Sequence, residues 1–132
     1  LMRARFPESH GAFSESSIQD LSSEGLHQLC REFGVPTLII TLGSRGCFVS
    51  TEDSHFHIAS ITGIEVLDTT GAGDAFVGGF SSGLVQFDGD LEKAARFGSV
   101  VAGLSVTQFG TAPAMPGKEA IEAEIAKQGF AF

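Results

Sequence analysis

The chain has 132 residues, of which 42% are hydrophobic, and its 16 acidic and 8 basic residues give a formal net charge of −8. A chain of this length can bury one hydrophobic core but hardly two, so we expect one domain. The negative charge argues against nucleic acid or an anionic membrane surface as the main partner. Any bound phosphate would therefore have to be held by backbone amides and metal ions.

The N-terminus begins with Leu1 instead of an initiator Met, which leads us to interpret the chain as a fragment. Residues 1–8 lack the apolar core of a signal peptide, and no apolar run approaches the length of a membrane span. We therefore expect no membrane partner and a cytoplasmic location. Serines with Pro7 and Gly11 indicate a loop over residues 6–17.

A first helix is predicted from a cap at Ser16 or Ser17 to a stop at Gly34 and Pro36. Gly25 weakens it by about 1 kcal/mol. His27 falls on its polar side and is expected to be solvated. The apolar face recurs at three- to five-residue intervals and comprises Ile18, Leu21, Leu26, Leu29, Cys30 and Phe33. Cys30 and Cys47 have neither metal-ligand spacing nor the density of a disulfide scaffold, so we expect two reduced structural thiols.

Residues 37–42 form a short apolar run that predicts a strand buried on both faces of a parallel sheet. The Gly turn that follows has hydroxyls at Thr41 and Ser44 and bare backbone at Gly43, which could receive a phosphate or a ribose. A hairpin turn would use the same residues, so both interpretations stay open.

Residues 46–51 and 55–60 predict two strands of a β-hairpin with a polar turn between them. His55 and His57 would share one face of the second strand. Two such histidines can bind a metal, but no third ligand is evident nearby, so we favour a partly exposed hairpin face.

Residues 64–80 predict a strand end at Ile64, Val66 and Leu67, a Gly-rich turn, and a helix that runs to about Phe87. Gly71 and Gly73 allow positive φ and close approach of a ligand, while the first free N–H groups of the helix form an anion hole. Asp74 lies at its mouth, where the helix dipole favours a carboxylate, and this placement suggests a base. A plain turn with an N-cap is the alternative for these residues.

Asp90 is predicted to cap the next helix, whose small residues suit close helix packing: Ala94, Ala95, Gly98, Ser99, Ala102 and Gly103. A loop over residues 105–116 then leads to an amphipathic helix from Lys118 to Gln128.

The string Asp-Thr-Thr-Gly-Ala-Gly-Asp-Ala-Phe at residues 68–76 closely resembles the second signature of the ribokinase (PfkB) family of sugar and nucleoside kinases. No Gly-x-x-x-x-Gly-Lys-Ser/Thr is present, and Phe76 stands where a dinucleotide fingerprint needs Gly or Ala. Thr-Leu-Gly-Ser-Arg-Gly at residues 41–46 also resembles the family's nucleotide-contacting turn. The resemblance implies a ribokinase-like α/β fold, with a mainly parallel sheet, helices on both faces and the site at the carboxyl ends of the strands.

The same resemblance implies that Asp74 is the catalytic base, that the amides of Gly71, Ala72 and Gly73 hold charge on the transferring group, and that Mg²⁺ bridges the phosphates of ATP. It assigns the nucleotide contacts to Thr41, Gly43, Ser44, Gly46, Gly73 and Ser99.

The loop at residues 105–116 resembles the one that holds a monovalent cation, usually K⁺, in ribokinases. The contacts implied are the carboxylate of Asp68, the carbonyls of Thr70, Ser105, Gln108 and Gly110, and the position of Ala114. Because Ala114 offers no hydroxyl, the contact at that position must be backbone, water or absent.

The expected reaction is transfer of the γ-phosphoryl group of ATP to a primary hydroxyl of a sugar, with D-ribose favoured and fructose or a nucleoside as alternatives. In the family this turn lies in the C-terminal half of a longer chain. The resemblance therefore implies that an N-terminal half with the sugar pocket and lid is missing, as is the Asn-x-x-Glu motif, for which residues 7–10 are no substitute. We expect the chain alone to be inactive and allow a homodimer of the full-length protein. The rival hypothesis is a truncated, non-catalytic module that binds nucleotide or a partner subunit.

Overall fold

The computed structural model describes residues 21–132. The predicted loop at residues 6–17, the segment at residues 7–10 and the predicted caps Ser16 and Ser17 lie outside the described residues. No helix within residues 21–132 is both long and apolar enough to cross a membrane. In chain order, the elements are α1 (Ser23–Arg31), β1 (Thr37–Thr41), β2 (Cys47–Thr51), β3 (His55–Ile58), α2 (Ala72–Gln86), α3 (Leu91–Ser105) and α4 (Lys118–Gln128).

The three strands form one sheet in the order β1-β2-β3. Residues 42–46 join β1 to β2, and residues 52–54 join β2 to β3. Connections this short pair strands antiparallel, because a parallel pair needs a crossover of about a dozen residues or more. The predicted hairpin of β2 and β3 is confirmed, and the amide of Thr51 donates to the carbonyl of Ser54 at 2.8 Å across its turn. Parallel strand pairs are not found in the part of the chain that the structure describes.

Strand β1 differs from the expected strand buried on both faces. Its terminal residues Thr37 and Thr41 are exposed, and the three residues between them are only half-buried. Among the described strands β1 has a single neighbour, β2, so it lies at an edge of this sheet. An apolar run therefore predicted the strand correctly but not its burial.

The described residues divide into two compact units, one of residues 21–39 with Val49–Phe56 and the other of Ile40–Phe48 with His57–Phe132. In the first unit, α1 begins later than predicted. Ser22 has extended backbone, and its hydroxyl accepts a hydrogen bond from the amide of Gly25 at 3.1 Å. Ser22 is thus the N-cap, and Gly25 lies in the first turn of the helix rather than in its interior.

His27 is half-buried, whereas the prediction was a solvated side chain. Its Nδ1 lies 2.8 Å from the hydroxyl of Ser50, and its ring stacks on that of His55 with centroids 4.7 Å apart. Ser50 is fully buried, and Arg31 donates to both its carbonyl (2.9 Å) and its hydroxyl (3.1 Å). A buried hydroxyl needs hydrogen-bond partners, so His27 and Arg31 of α1 stabilise the strand residue.

In the second unit, α2 and α3 pack closely through glycines, as the small residues predicted. A Cβ added at Gly83 would lie 2.8 Å from the Cα of Ala94, and one at Gly98 would lie 3.0 Å from the carbonyl of Phe76. A Cβ added at Gly79 would lie 2.8 Å from the Cβ of Val101. The helix ends agree with prediction: α2 ends at Gln86, the carboxylate of Asp90 accepts from the amide of Lys93 at 3.0 Å, and α4 spans Lys118–Gln128.

The predicted strand before the Gly-rich turn does not form. Residues 59–70 contain no helix or strand, and Val66 and Leu67 are 56% and 46% exposed. The amides of Leu67 and Asp68 both donate to the carbonyl of Val106, at 2.8 and 3.2 Å. The acceptor of these two hydrogen bonds therefore lies just after the end of α3 and not in a neighbouring strand.

We predict that Gly83→Ala lowers the free energy of unfolding by about 1–3 kcal/mol, because the new methyl group would overlap backbone atoms that cannot move away cheaply. Gly78→Ala is the matched control in the same helix, since nothing lies within 4 Å of a Cβ at that position. That variant should be neutral or more stable by up to about 1 kcal/mol. Urea denaturation measures both, and equal stability of the two variants would contradict the packing described.

Candidate nucleotide and phosphate site

A cavity of about 400 Å³ lies wholly within the second unit. Its lining includes all six residues that the sequence assigned to nucleotide contacts: Thr41, Gly43, Ser44, Gly46, Gly73 and Ser99. The rest of the wall is mainly apolar and consists of Ser60, Ile61, Ile64, Val66, Thr69, Ala72, Phe76, Ala102, Gly103 and Val106. The size and the mixture of apolar wall with a few polar groups are typical of a small-molecule site.

The turn between β1 and β2 supplies four of these residues. It closes through a hydrogen bond from the amide of Leu42 to the carbonyl of Gly46 at 2.7 Å. Gly43 and Gly46 both have positive φ, 58° and 89°, and a side chain on Gly46 would collide with the carbonyl of Ile58. The hairpin-turn interpretation is therefore correct, and the same residues also line the cavity, so a phosphate or ribose contact remains a prediction.

The other end of the cavity meets the N-terminus of α2. Gly71 is the N-cap in the left-handed conformation, with φ of 79°, and no side chain caps the helix. The amide of Ala72 donates to the carbonyl of Thr69 at 3.2 Å, whereas the amides of Gly73 and Asp74 have no partner among the described residues. These two amides are the groups that an anion could accept from. The sequence had favoured the amides of Gly71, Ala72 and Gly73.

Asp74 is exposed in the first turn of α2, adjacent to the cavity-lining Gly73. It is not the N-cap, since Gly71 takes that position. No side chain in residues 21–132 forms an ion pair or hydrogen bond with its carboxylate. The helix-cap alternative is therefore wrong for this residue, and the carboxylate is available to a ligand.

Asp68 joins the Gly-rich turn to the loop after α3. One carboxylate oxygen accepts from the amide of Thr70 at 2.9 Å, and the other accepts from the amide of Gly110 at 3.0 Å. A Cβ on Gly71 would lie 3.0 Å from the methyl group of Thr111. The hydrogen bond from Gly110, followed by those from Thr70, lowers the pKa of the Asp68 carboxyl below its usual value.

The residues assigned to a monovalent cation are only partly brought together by these contacts. Asp68, Thr70 and Gly110 form one hydrogen-bonded group. Ser105 is buried at the end of α3, and its hydroxyl donates to the carbonyl of Ala102 at 2.7 Å. Gln108 is exposed, whereas Ala114 is buried in the short 3-10 turn Ala112–Ala114. The set offers one carboxylate and several carbonyl oxygens, which suit a hard cation.

Ser99 lies on the cavity wall, and its hydroxyl forms a hydrogen bond with the thiol of Cys47. Burial raises the pKa of the Cys47 thiol to about 11, and the bond with Ser99 opposes that rise in part. Burial also raises the pKa of Cys30, and both thiols are free, in agreement with the prediction of structural cysteines.

Sequence reasoning missed the part of the wall that comes from residues 60–69. Ile64 and Val66 were interpreted as strand residues, because β-branched side chains are also common in strands, and Ile61 was assigned to no element. The available signal was their apolar character immediately before the Gly-rich turn.

We predict that the amide signal of Gly110 titrates with an apparent pKa below 3.8, the usual value for aspartate. The lowered pKa means that the contact is fully formed above pH 3.8 and is lost as the pH falls through the folded-state value. NMR shifts of the Gly110 amide against pH measure this, and Asp68→Asn should abolish the titration. An apparent pKa at or above 3.8 would contradict the hydrogen bond to Asp68.

The chain is similar in sequence and in structure to known sugar and nucleoside kinases. Ribokinase from Haemophilus influenzae is 37% identical over 86 residues, which cover 65% of this chain and 28% of the relative. The structure of ribokinase from Thermotoga maritima superposes with a TM-score of 0.73 and 27% identity, over 96% of this chain and 38% of that one. Aminoimidazole riboside kinase from Salmonella enterica, solved with aminoimidazole riboside and an ATP analog, gives a TM-score of 0.69 and 31% identity, over 78% of this chain and 35% of that one.

The chain thus spans about a third of the length of these relatives. The structural likeness confirms the predicted ribokinase-like α/β fold class. Residues 6–118 match the pfkB family of carbohydrate kinases, and the chain belongs to that family.

Proposed function

We propose that the chain is the nucleotide-binding part of an ATP-dependent phosphotransferase that moves the γ-phosphoryl group to a primary hydroxyl of a sugar. The observation that carries this proposal is the position of Gly73, which lines the cavity and also lies in the first turn of α2. A ligand with an apolar base in the cavity could extend its phosphates to the amides of Gly73 and Asp74. ATP has these two parts.

The apolar wall suits the base, and the hydroxyls of Thr41 and Ser44 suit the ribose. A phosphoryl group in transfer carries charge that the first amides of α2 can stabilise without reorganisation. The exposed carboxylate of Asp74 would then accept the proton of the attacking hydroxyl. The ATP analog bound to the Salmonella relative supports the choice of nucleotide.

The chain has no cluster of three or more metal-ligating side chains within residues 21–132. This fits Mg²⁺ as it usually accompanies ATP, because that ion keeps several waters and binds mainly through the phosphates. When bound, it would neutralise phosphate charge.

We also propose that a monovalent cation, K⁺ by preference, binds near Asp68 through the carbonyls of Thr70, Ser105, Gln108 and Gly110 and the backbone at Ala114. The hydrogen bonds of Asp68 to Thr70 and Gly110 support this, since they hold two of these residues together. A cation there would stiffen the backbone of Thr70 next to Gly71, and so the anion site.

D-Ribose is the proposed acceptor, with fructose or a nucleoside as alternatives. The turn at residues 41–46 and the loop at residues 105–116 support ribose by their resemblance to ribokinase. Because the chain covers about a third of the length of its relatives, we propose that the isolated chain binds ATP but phosphorylates no sugar without the rest of the protein.

Gly73→Ala is predicted to weaken ATP binding about tenfold, or about 1.4 kcal/mol, without loss of stability. Apart from its chain neighbours and its own helix backbone, no atom of the described residues lies within 4 Å of a Cβ at this position, so the methyl group would meet a ligand in the cavity. Isothermal titration calorimetry gives the dissociation constant for ATP.

The matched control is Gly78→Ala, which makes the same change on the same helix outside the cavity and should leave ATP affinity unchanged. Equal ATP affinity of Gly73→Ala and the wild-type chain would refute the assigned site. Failure of the wild-type chain to bind ATP would refute the proposed function itself.

A further inference from the structure

One wall of the cavity comes from an irregular segment, Ser60–Ile64. Ile61 and Ile64 line the cavity, and their side chains pack against Gly103 on α3, where an added Cβ would lie 2.5 Å from the Cδ1 of Ile61 and 3.6 Å from that of Ile64. The segment forms no helix or strand, and its backbone makes no backbone hydrogen bond to the other described residues. Its position therefore depends on side-chain contacts.

Gln128, in the last turn of α4, makes hydrogen bonds to the middle of this segment. Its Nε2 donates to the carbonyl of Thr62 at 2.7 Å, and its Oε1 accepts from the amide of Thr62 at 3.5 Å. A carboxamide has a donor and an acceptor side by side, so it can bind both backbone groups of one residue. Thr62 lies between the two isoleucines of the cavity wall.

The carboxamide of Gln128 is itself held in place. Its Nε2 also donates to a carboxylate oxygen of Glu124 at 2.6 Å, one turn earlier on α4. Glu124 is 8% exposed, and Lys127 reaches its other oxygen at 3.5 Å and the carbonyl of Gly63 at 3.4 Å. The buried carboxylate of Glu124 thus fixes the orientation of the Gln128 carboxamide, which explains why residue 128 has a polar side chain.

We propose that Gln128 is a positioning residue for the nucleotide cavity, which acts by fixing the backbone of Thr62 and thereby the side chains of Ile61 and Ile64 against the bound base. Gln128 does not line the cavity, so its effect reaches the ligand only through this segment. What the cavity holds rests on the proposed function, whereas the ordering of the wall does not.

The test compares Gln128→Ala and Gln128→Glu with Glu119→Ala, a control at an exposed residue of the same helix. Gln128→Glu keeps the length of the side chain but loses the donor to Thr62 and brings a second carboxylate next to Glu124. Both Gln128 variants should weaken ATP binding about fivefold, or about 1 kcal/mol, in the full chain. Binding of inorganic tripolyphosphate should not change, because it lacks the base that the isoleucines contact.

Equal weakening of ATP and tripolyphosphate would indicate general loosening and overturn the proposal, as would unchanged ATP affinity. Methyl order parameters of Ile61 and Ile64, measured by NMR without nucleotide, should fall in the Gln128 variants and not in Glu119→Ala. Unchanged order parameters would overturn the positioning role even if the chain binds ATP. If the wild-type chain binds neither ligand, the proposed function fails, and the order parameters alone then decide whether Gln128 orders the wall.

Discussion

The left-handed conformation of Gly71 is the constraint on which the site depends. With φ of 79°, the chain enters α2 so that no side chain caps the helix, and the amides of Gly73 and Asp74 have no partner among the described residues. The space beside Gly71 is filled by Thr111, so a residue with a side chain would be strained by its backbone and crowded by Thr111. The carboxylate of Asp68 fixes the same turn from the other side, because it accepts hydrogen bonds from the amides of Thr70 and Gly110.

A second constraint is the size of the residues between α2 and α3. Gly79, Gly83 and Gly98 allow the backbones of the two helices to approach closely, which leaves Ser99 and Gly103 on the wall of the cavity that begins at Gly73. Larger residues would separate the helices and move this wall away from the proposed phosphate site. The packing and the proposed binding function therefore require the same small residues.

Local signals predicted the elements that local chemistry determines. Asp90 capped α3 as its sequence position indicated, and the small residues of α3 predicted close packing. The two Gly-rich turns were recognisable because glycine is the residue that allows positive φ and leaves the backbone bare. The structure brings residues from both turns to one cavity.

Contacts between residues distant in sequence were not predictable in this way. The helical periodicity around His27 suggested a solvated side chain, because its partner Ser50 lies 23 positions away in the sequence. Residues 64–67 have strand-like composition, but Leu67 pairs with Val106 beyond α3 instead of with a strand. The hydrogen bond from Gln128 to Thr62 likewise joins residues 66 positions apart, so no local sequence pattern indicates it.

The central claim is that the carboxylate of Asp74 acts as a base beside an open helix N-terminus, and its most direct test is the turnover number of Asp74→Asn in the complete protein. Asn keeps the shape of the side chain but cannot take the proton of the acceptor hydroxyl. Asp88→Asn is the control, because it removes the same charge from an exposed residue whose left-handed backbone, with φ of 50°, asparagine tolerates.

General-base assistance typically contributes about 10²–10⁴-fold. We therefore expect kcat of Asp74→Asn to fall by about that factor, with unchanged melting temperature and with ATP affinity equal or slightly higher. Asp88→Asn should keep the wild-type rate. A correctly folded Asp74→Asn enzyme with a kcat near that of the wild type would contradict the account.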